Sequence, residues 1–489
     1  MRLGDSALFI ALAASAGAAT LPQKIDAVLA TTPAARASFW GIQVVDLRTG
    51  RVLYKWNQDH FFVPASNTKL FTTALALSRL GPDYTFQTRV VAPASPDAAG
   101  RIVGDLRLVG GGDPNLSGRP IPYQRNAPFG DALTAIDDLA AQIAGRGVRR
   151  ISGDIIGDDS WYAWEPYAPG WGIEDPKSDD GPPVSALTIN DNTFTLRIEP
   201  GEHDGDLAIL TLTPAIEYYA LDNRIRTVSA GGERRLRFDR IPGSLEGRLT
   251  GSIPLHDRPV ETLLAIDDPA RYAAMALRMA LESRGIVVEG EAVSRHASGA
   301  DAPEIELARR VSAPLIEDLR ITDKVSQNLH AELALRAVGR ARRNAGTVQA
   351  GLEELQAFLE EIGLPSEEYF FRDGSGLARL NLVTPAAVVR LLRYMYDSPL
   401  REHWMSLLPV GGEDGTLATR FANSPAAGRV HAKTGSLSHV SALSGYIERA
   451  GGSRLAFSML VNNYRAPTAE VRGVMDRICT LIVEERSTK

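Results

Sequence analysis

Near the start of the chain, "FWGIQVVDL" (39–47), the turn "RTGR" and "VLYKWN" (52–57) read as a β-hairpin. No strand pattern follows closely, because "DHFFVPAS" leads into an apolar helical stretch that begins near Ser66 and stops at Gly81. A hairpin alone is marginal in water, so these strands need partners from far along the sequence. The candidates are "SHVSALSGYIER" (438–449) and "RLAFSMLVNNY" (454–464), near the other end. Helical patterns at 315–339, 346–363, 384–397 and 467–485 surround them. Joining the two ends of the chain in one antiparallel sheet flanked by helices gives an α+β fold.

Everything between is then an insertion. Residues 20–89 and 305–489 make the main unit, and 90–192 with 259–304 an inserted β-rich one. Residues 193–258 ("TFTLRIEP", "DLAILTLTP") form a small all-β module nested inside it. A length of 489 residues suits this number of domains.

A net charge of −6 argues against a nucleic-acid partner, which needs a basic surface. The one cysteine, Cys479, excludes an intramolecular disulfide and any multi-cysteine metal site. The eight histidines show no His-Glu-x-x-His arrangement, so no metal or other cofactor is expected. The start, "MRLGDSALFIALAASAGAAT", has the basic, apolar and small-residue parts of a signal peptide over 1–19. No later stretch is long and apolar enough to be an integral membrane segment.

Only seven of the 53 basic Lys+Arg residues are lysine, yet "VPASNTKLF" places Lys69 three residues after Ser66 at a helix start. That spacing puts both on one helix face. A serine hydroxyl is a weak nucleophile until a base takes its proton. A lysine can be that base when burial or a neighbouring cation lowers its pKa, and an arginine cannot. Alone, the pair reads more simply as an N-cap serine and a solvated first-turn lysine. Two later triplets change the balance: Ser326-Gln327-Asn328, and Lys433-Thr434-Gly435 followed by Ser436. Ser-x-x-Lys, Ser-x-Asn and Lys-Thr-Gly, in this order, form the set of penicillin-binding proteins and serine β-lactamases.

With these motifs, and with "LVGGGDPNL", "SALTINDN", "FRDGSGLAR" and "LPVGGEDGTLATRF", nearly the whole chain resembles the S13 D-alanyl-D-alanine carboxypeptidases, the class C low-molecular-mass penicillin-binding proteins. Members carry a large insertion between the first two motifs, as this chain does. The resemblance implies a transpeptidase-like fold and a hydrolase, possessing carboxypeptidase and also endopeptidase activity on peptidoglycan stem peptides. It further implies export to the periplasm or cell wall, and covalent inhibition by β-lactam antibiotics. A homodimer is left open.

By that resemblance Ser66 is the nucleophile and Lys69 its base. Ser326 relays a proton to the leaving nitrogen, Asn328 holds a substrate carbonyl, and Lys433 supplies positive field. Thr434 grips the terminal carboxylate, Gly435 keeps the strand edge open, and the N–H groups of Ser66 and Ser436 form the oxyanion hole. The loop "DGSGL" (373–377) lines the cleft through Leu377. Trp161, in "DDSWYAWEPY", is the expected contact for the stem-peptide side chain. Two alternatives stand beside this reading: a serine β-lactamase, and a non-catalytic protein that binds cell-wall peptide.

Overall fold

The computed structural model describes residues 19–485 apart from 178, 241–242, 298 and 300–303. The expected signal peptide, all but residue 19, lies outside the described residues. Strands β1 (Phe39–Asp46), β2 (Val52–Trp56), β3 (Val430–Leu437), β4 (Val440–Glu448) and β5 (Arg454–Asn462) form one sheet in the order β3-β4-β5-β1-β2. All neighbours are antiparallel, with Ile42 opposite Met459 in β5 and opposite Trp56 in β2. The hairpin at the start of the chain does find its partner at the end.

Strands β4 and β5 are buried almost throughout, which requires cover on both faces. Leu21–Thr31 and Thr468–Glu484 cover one side, joined to the sheet by a core containing Ile25, Ile42, Phe457 and Ile478. On the other side lies α1 (Thr68–Leu80), buried at every position from Thr68 to Leu77 and therefore a central helix. Gly81, at φ +82°, ends it.

The continuous helical pattern at 315–339 is broken in the structure. Helix α2 (Leu315–Lys324) and α3 (Asn328–Arg343) are separate, and Ser326 between them has φ +67°. The Gln327 side chain turns back to accept the N–H of Leu329 and caps α3. The second motif thus spans the junction between two helices, with Asn328 the first residue of α3.

The insertion builds a second five-stranded sheet, ordered Ala292–Arg295, Ile155–Asp158, Leu106–Val109, Gln87–Ala92 and Ile305–Val311. The strands at its two ends in sequence, Gln87–Ala92 and Ile305–Val311, pair with each other. Val260–Ala265 pairs with Thr193–Glu199. One hydrophobic cluster, holding Leu108, Leu196, Ile225 and Leu277, runs through both inserted parts.

Candidate active site

Ser66 sits in a single 3₁₀ turn, Ala65–Asn67, that leads into α1. Ala65 is held at φ +48°, and the turn is locked from two sides. Asn67 donates through Nδ2 to the Lys433 carbonyl at 3.0 Å, and Gly376 packs so closely that a Cβ there would lie 1.9 Å from the Ala65 carbonyl oxygen. A strained turn of this kind persists only where its surroundings hold it.

One helical turn on, Lys69 is fully buried. Its Nζ lies 2.9 Å from Ser66 Oγ, 2.6 Å from Asn328 Oδ1 and 2.7 Å from the Ser375 carbonyl oxygen. Two of these partners are pure acceptors, and the third is a hydroxyl that can donate. A neutral amine, with two N–H bonds and one lone pair, satisfies all three at once. Burial drives the Lys69 pKa well below the usual lysine value and the charge of Lys433 pushes the same way, while Asp373, Asp323 and Glu332 oppose them. The amine is poised to take the Ser66 proton.

The Ser375 carbonyl is aimed by its own neighbours. Glu332 Oε1 accepts the N–H groups of Gly374 and Ser375, each at 2.8 Å, and Asp373 accepts those of Gly376 and Ala378 at 2.9 and 2.7 Å. "DGSGL" is therefore a buried turn whose backbone serves Lys69, and Leu377 beyond it lines the cleft.

Lys433, on β3, donates to Ser326 Oγ at 2.8 Å and to the Thr434 carbonyl at 3.0 Å. It too is buried, which lowers its pKa, while Asp323 acts in the opposite direction. Ser66 and Ser326 thus line one cleft of about 740 Å³, each backed by its buried lysine, Lys69 and Lys433. Thr434 Oγ1 bonds to Thr416 Oγ1 at 2.8 Å, and Arg472 donates to Ser436 Oγ at 2.7 Å. With Arg379 and Arg420 also on the wall, this end of the cleft suits a carboxylate. A Cβ on Gly435 would lie 2.7 Å from the Pro64 carbonyl oxygen and 3.1 Å from Ser66 N, filling the space between β3 and the nucleophile turn.

Trp161 is the exception. It does not line the cleft; it is 44% exposed, with the Arg340 guanidinium 4.1 Å from its ring centroid. Arg340 lies twelve residues along α3 from Asn328, roughly 18 Å at 1.5 Å per residue. In this structure the aromatic packs at the far end of α3. Gly170, Gly172 and Asp175, further along the same segment, reach the cleft instead.

The sequence reading also missed an anchor from the insertion. Asp191 accepts from Gln327 Nε2 at 3.0 Å and pairs with His330 Nε2 at 2.9 Å and with Arg119. The other ring nitrogen of His330 lies 2.6 Å from Asp318. The middle residue of the second motif, Gln327, is thus tied through Asp191 to the inserted region. "SALTINDN" contains this aspartate, and only its place in the fold shows what it holds. Among the described residues no group of three or more His, Cys, Asp and Glu is arranged to hold a metal ion.

Sheet, insertion and serine–lysine centre together define a serine acyl-transfer enzyme of penicillin-binding architecture. Residues 21–482 match the D-Ala-D-Ala carboxypeptidase 3 (S13) family, and the chain belongs to that family of peptidases. It is 38% identical to the D-alanyl-D-alanine carboxypeptidase of Actinomadura sp. (strain R39), over 97% of this chain and 87% of that one. It is 29% identical to penicillin-sensitive carboxypeptidase A of Dictyostelium discoideum, over 91% and 87%. The crystal structure of penicillin binding protein 4 (dacB) from Haemophilus influenzae shares the fold, with TM-score 0.81 and 23% identity, covering 93% of this chain and 97% of that one.

Proposed function

We propose that this chain removes the terminal D-alanine from peptidoglycan stem peptides, and cleaves D-alanyl cross-links between them, through an acyl-enzyme on Ser66. Lys69 takes the hydroxyl proton as Ser66 Oγ attacks the carbonyl carbon of the penultimate D-alanine. The N–H groups of Ser66 and Ser436 face the oxygen on which charge develops. The C–N bond breaks, and the nitrogen leaves with a proton passed through Ser326, beside Lys433. Thr434, with Thr416 and the nearby arginines, takes the terminal carboxylate, and Asn328 offers an N–H to a substrate carbonyl. Water then hydrolyses the ester and returns the proton to Ser66.

The three-partner setting of Lys69 carries this reading, since it fits a neutral base within reach of a serine. Intact-protein mass spectrometry after benzylpenicillin treatment tests it: one covalent adduct is expected, lost in Ser66→Ala. An unlabelled protein, or labelling that survives the substitution, overturns it. A serine β-lactamase would instead turn penicillin over rapidly and leave D-Ala-D-Ala peptides intact. The substrate belongs outside the cytoplasmic membrane, so export to the periplasm or cell wall is part of this reading, with 1–19 as the leader. N-terminal sequencing of the secreted protein checks it, and light scattering checks for a homodimer. Among the described residues no helix is long and apolar enough to cross a membrane.

A further inference from the structure

Behind the Ser326–Asn328 turn lies a second cavity, of about 900 Å³, that shares Val325, Ser326, Asn328 and Asp180 with the catalytic cleft. The insertion builds most of it. Thr195, Leu212 and Leu263 come from the three-stranded sheet of Thr193–Glu199, Ile209–Thr213 and Val260–Ala265. Residues 129–133 and Arg119, whose guanidinium lies 4.9 Å from the Phe129 ring centroid, form another wall. The same stretch of chain reaches the carboxylate end of the cleft. Arg125 donates to the Glu413 carbonyl at 2.6 Å, and Gly415 N donates to Tyr123 Oη at 3.2 Å, immediately before Thr416.

This places the cavity on one side of the scissile bond. The departing nitrogen is protonated at Ser326, and the carboxylate next to that nitrogen is held at Thr434 and Thr416. Whatever is attached beyond them projects toward 119–133 and the nested sheet. A single D-alanine needs no such volume, whereas a cross-linked substrate does, because its leaving half is a whole second peptide. Its released amine is protonated at neutral pH, and Asp131, Asp179 and Asp180 on the rim match that charge.

We infer that the second cavity binds the leaving peptide of a cross-linked substrate, the half whose side-chain amine was acylated by D-alanine. This deepens the proposed function and rests on it. In the first step the D-alanyl C–N bond breaks, a Ser66 ester forms and the second peptide departs as an amine. Water then cleaves the ester, with no change of oxidation state.

The test compares two synthetic substrates with the same donor peptide. One ends in D-Ala-D-Ala; in the other D-alanine acylates the side-chain amine of a diamino acid that bears a carboxylate on the same carbon, within a second peptide. Leu263→Trp and Thr195→Trp fill the cavity from the strand face, and Leu263 is already 38% exposed, so a larger side chain there is compatible with the fold. The expected result is a fall of roughly tenfold or more in the ratio of kcat/KM for the cross-linked substrate to that for the D-Ala-D-Ala peptide. Benzylpenicillin labelling at the wild-type rate shows that each variant is folded. An unchanged ratio in both labelled variants overturns the inference, as does a wild type that cleaves the D-Ala-D-Ala peptide but never the cross-linked one. A wild type that neither cleaves peptide nor is labelled overturns the proposed function itself.

Discussion

In the motif-bearing unit Lys69, Lys433, Asp323, Glu332 and Asp373 are buried within a continuous set of hydrogen bonds and charges. The nested β module treats the same residue types in the opposite way. Arg197 pairs with Glu199 and Glu261, and Asp222 with Arg224 and Arg248, across strand surfaces open to solvent. Exposed pairs are screened and contribute little. Buried ones have large Coulombic and desolvation terms, which shift protonation states and make chemistry available. Charge does work here where water is excluded, and through the part-buried Asp191 the insertion joins that set at the second motif.

Lys69→Arg is the strongest way to break this contrast. It keeps a cation but removes the proton acceptor, so penicillin acylation should fall on the order of 10²–10⁴-fold. Stopped-flow labelling with a fluorescent penicillin measures the rate. A near-normal value would make Lys69 a structural cation, no different in kind from the module's surface arginines.

Asp191→Asn tests whether the insertion reaches the site. Loss of the carboxylate leaves His330 and Arg119 without their shared partner and loosens Gln327. We expect kcat/KM for a D-Ala-D-Ala peptide to fall about tenfold, with a stability loss of at most about 3–5 kcal/mol. Kinetics and thermal melts on the same sample check both. An unaffected enzyme would confine the chemistry to the main unit.

A smaller effect follows from pH. Burial disfavours charged His330, but Asp318 and Asp191 outweigh it and push its pKa up to about 9. The unfolded value is about 6.5, so this stabilisation is complete below about pH 6.5 and is lost as pH rises through about 9. Desolvation of the part-buried Asp191 would raise its pKa, but His330 and Arg119 hold it well below the usual carboxylate range, and its contribution is lost only in acid. Melting temperature should therefore fall between about pH 6.5 and 9, and fall less steeply in His330→Gln. Parallel profiles would show that the pair does not link the two regions.

Trp161→Ala should cost about 0.5–1 kcal/mol through the lost Arg340 contact and leave peptide turnover and acylation alike unchanged. Selective loss of peptide turnover would return Trp161 to the substrate site. Smallest of all, Arg224→Ala in the nested module should change neither melting temperature nor kcat/KM measurably.

The three motifs and the pairing of early and late strands could be read in the sequence, because each depends on local residue pattern or on the need to cover unpaired strand edges. Lysine choice in an arginine-biased chain pointed to Lys69. What escaped depends on distance along the chain. Asp191 meets Gln327 across more than a hundred residues, and Arg472 reaches Ser436 from the C-terminal helix. The break at Ser326 was hidden because apolar spacing runs on through it, and φ +67° leaves no mark in the pattern. Nor does the pattern around Trp161 show where it lies: an aromatic near acids looks alike whether it faces a cleft or the far end of a helix.

Strand β3 lies at the rim of its sheet, and its first half is partnered: Gly411 N donates to the Val430 carbonyl, and Ala432 N to that of Pro409. From Lys433 onward it borders the cleft. A free rim suits a guest that lies extended and is held by its main chain, so the grip is indifferent to much of the guest's own sequence. It is also where another copy's strand would add and start a fibre. Arg379, which donates to the Ser438 carbonyl at 3.1 Å, and Arg472 on Ser436 put two positive charges at that rim. The cations that suit a substrate carboxylate would also repel a second copy of the same strand, so catalysis and solubility draw on the same two side chains.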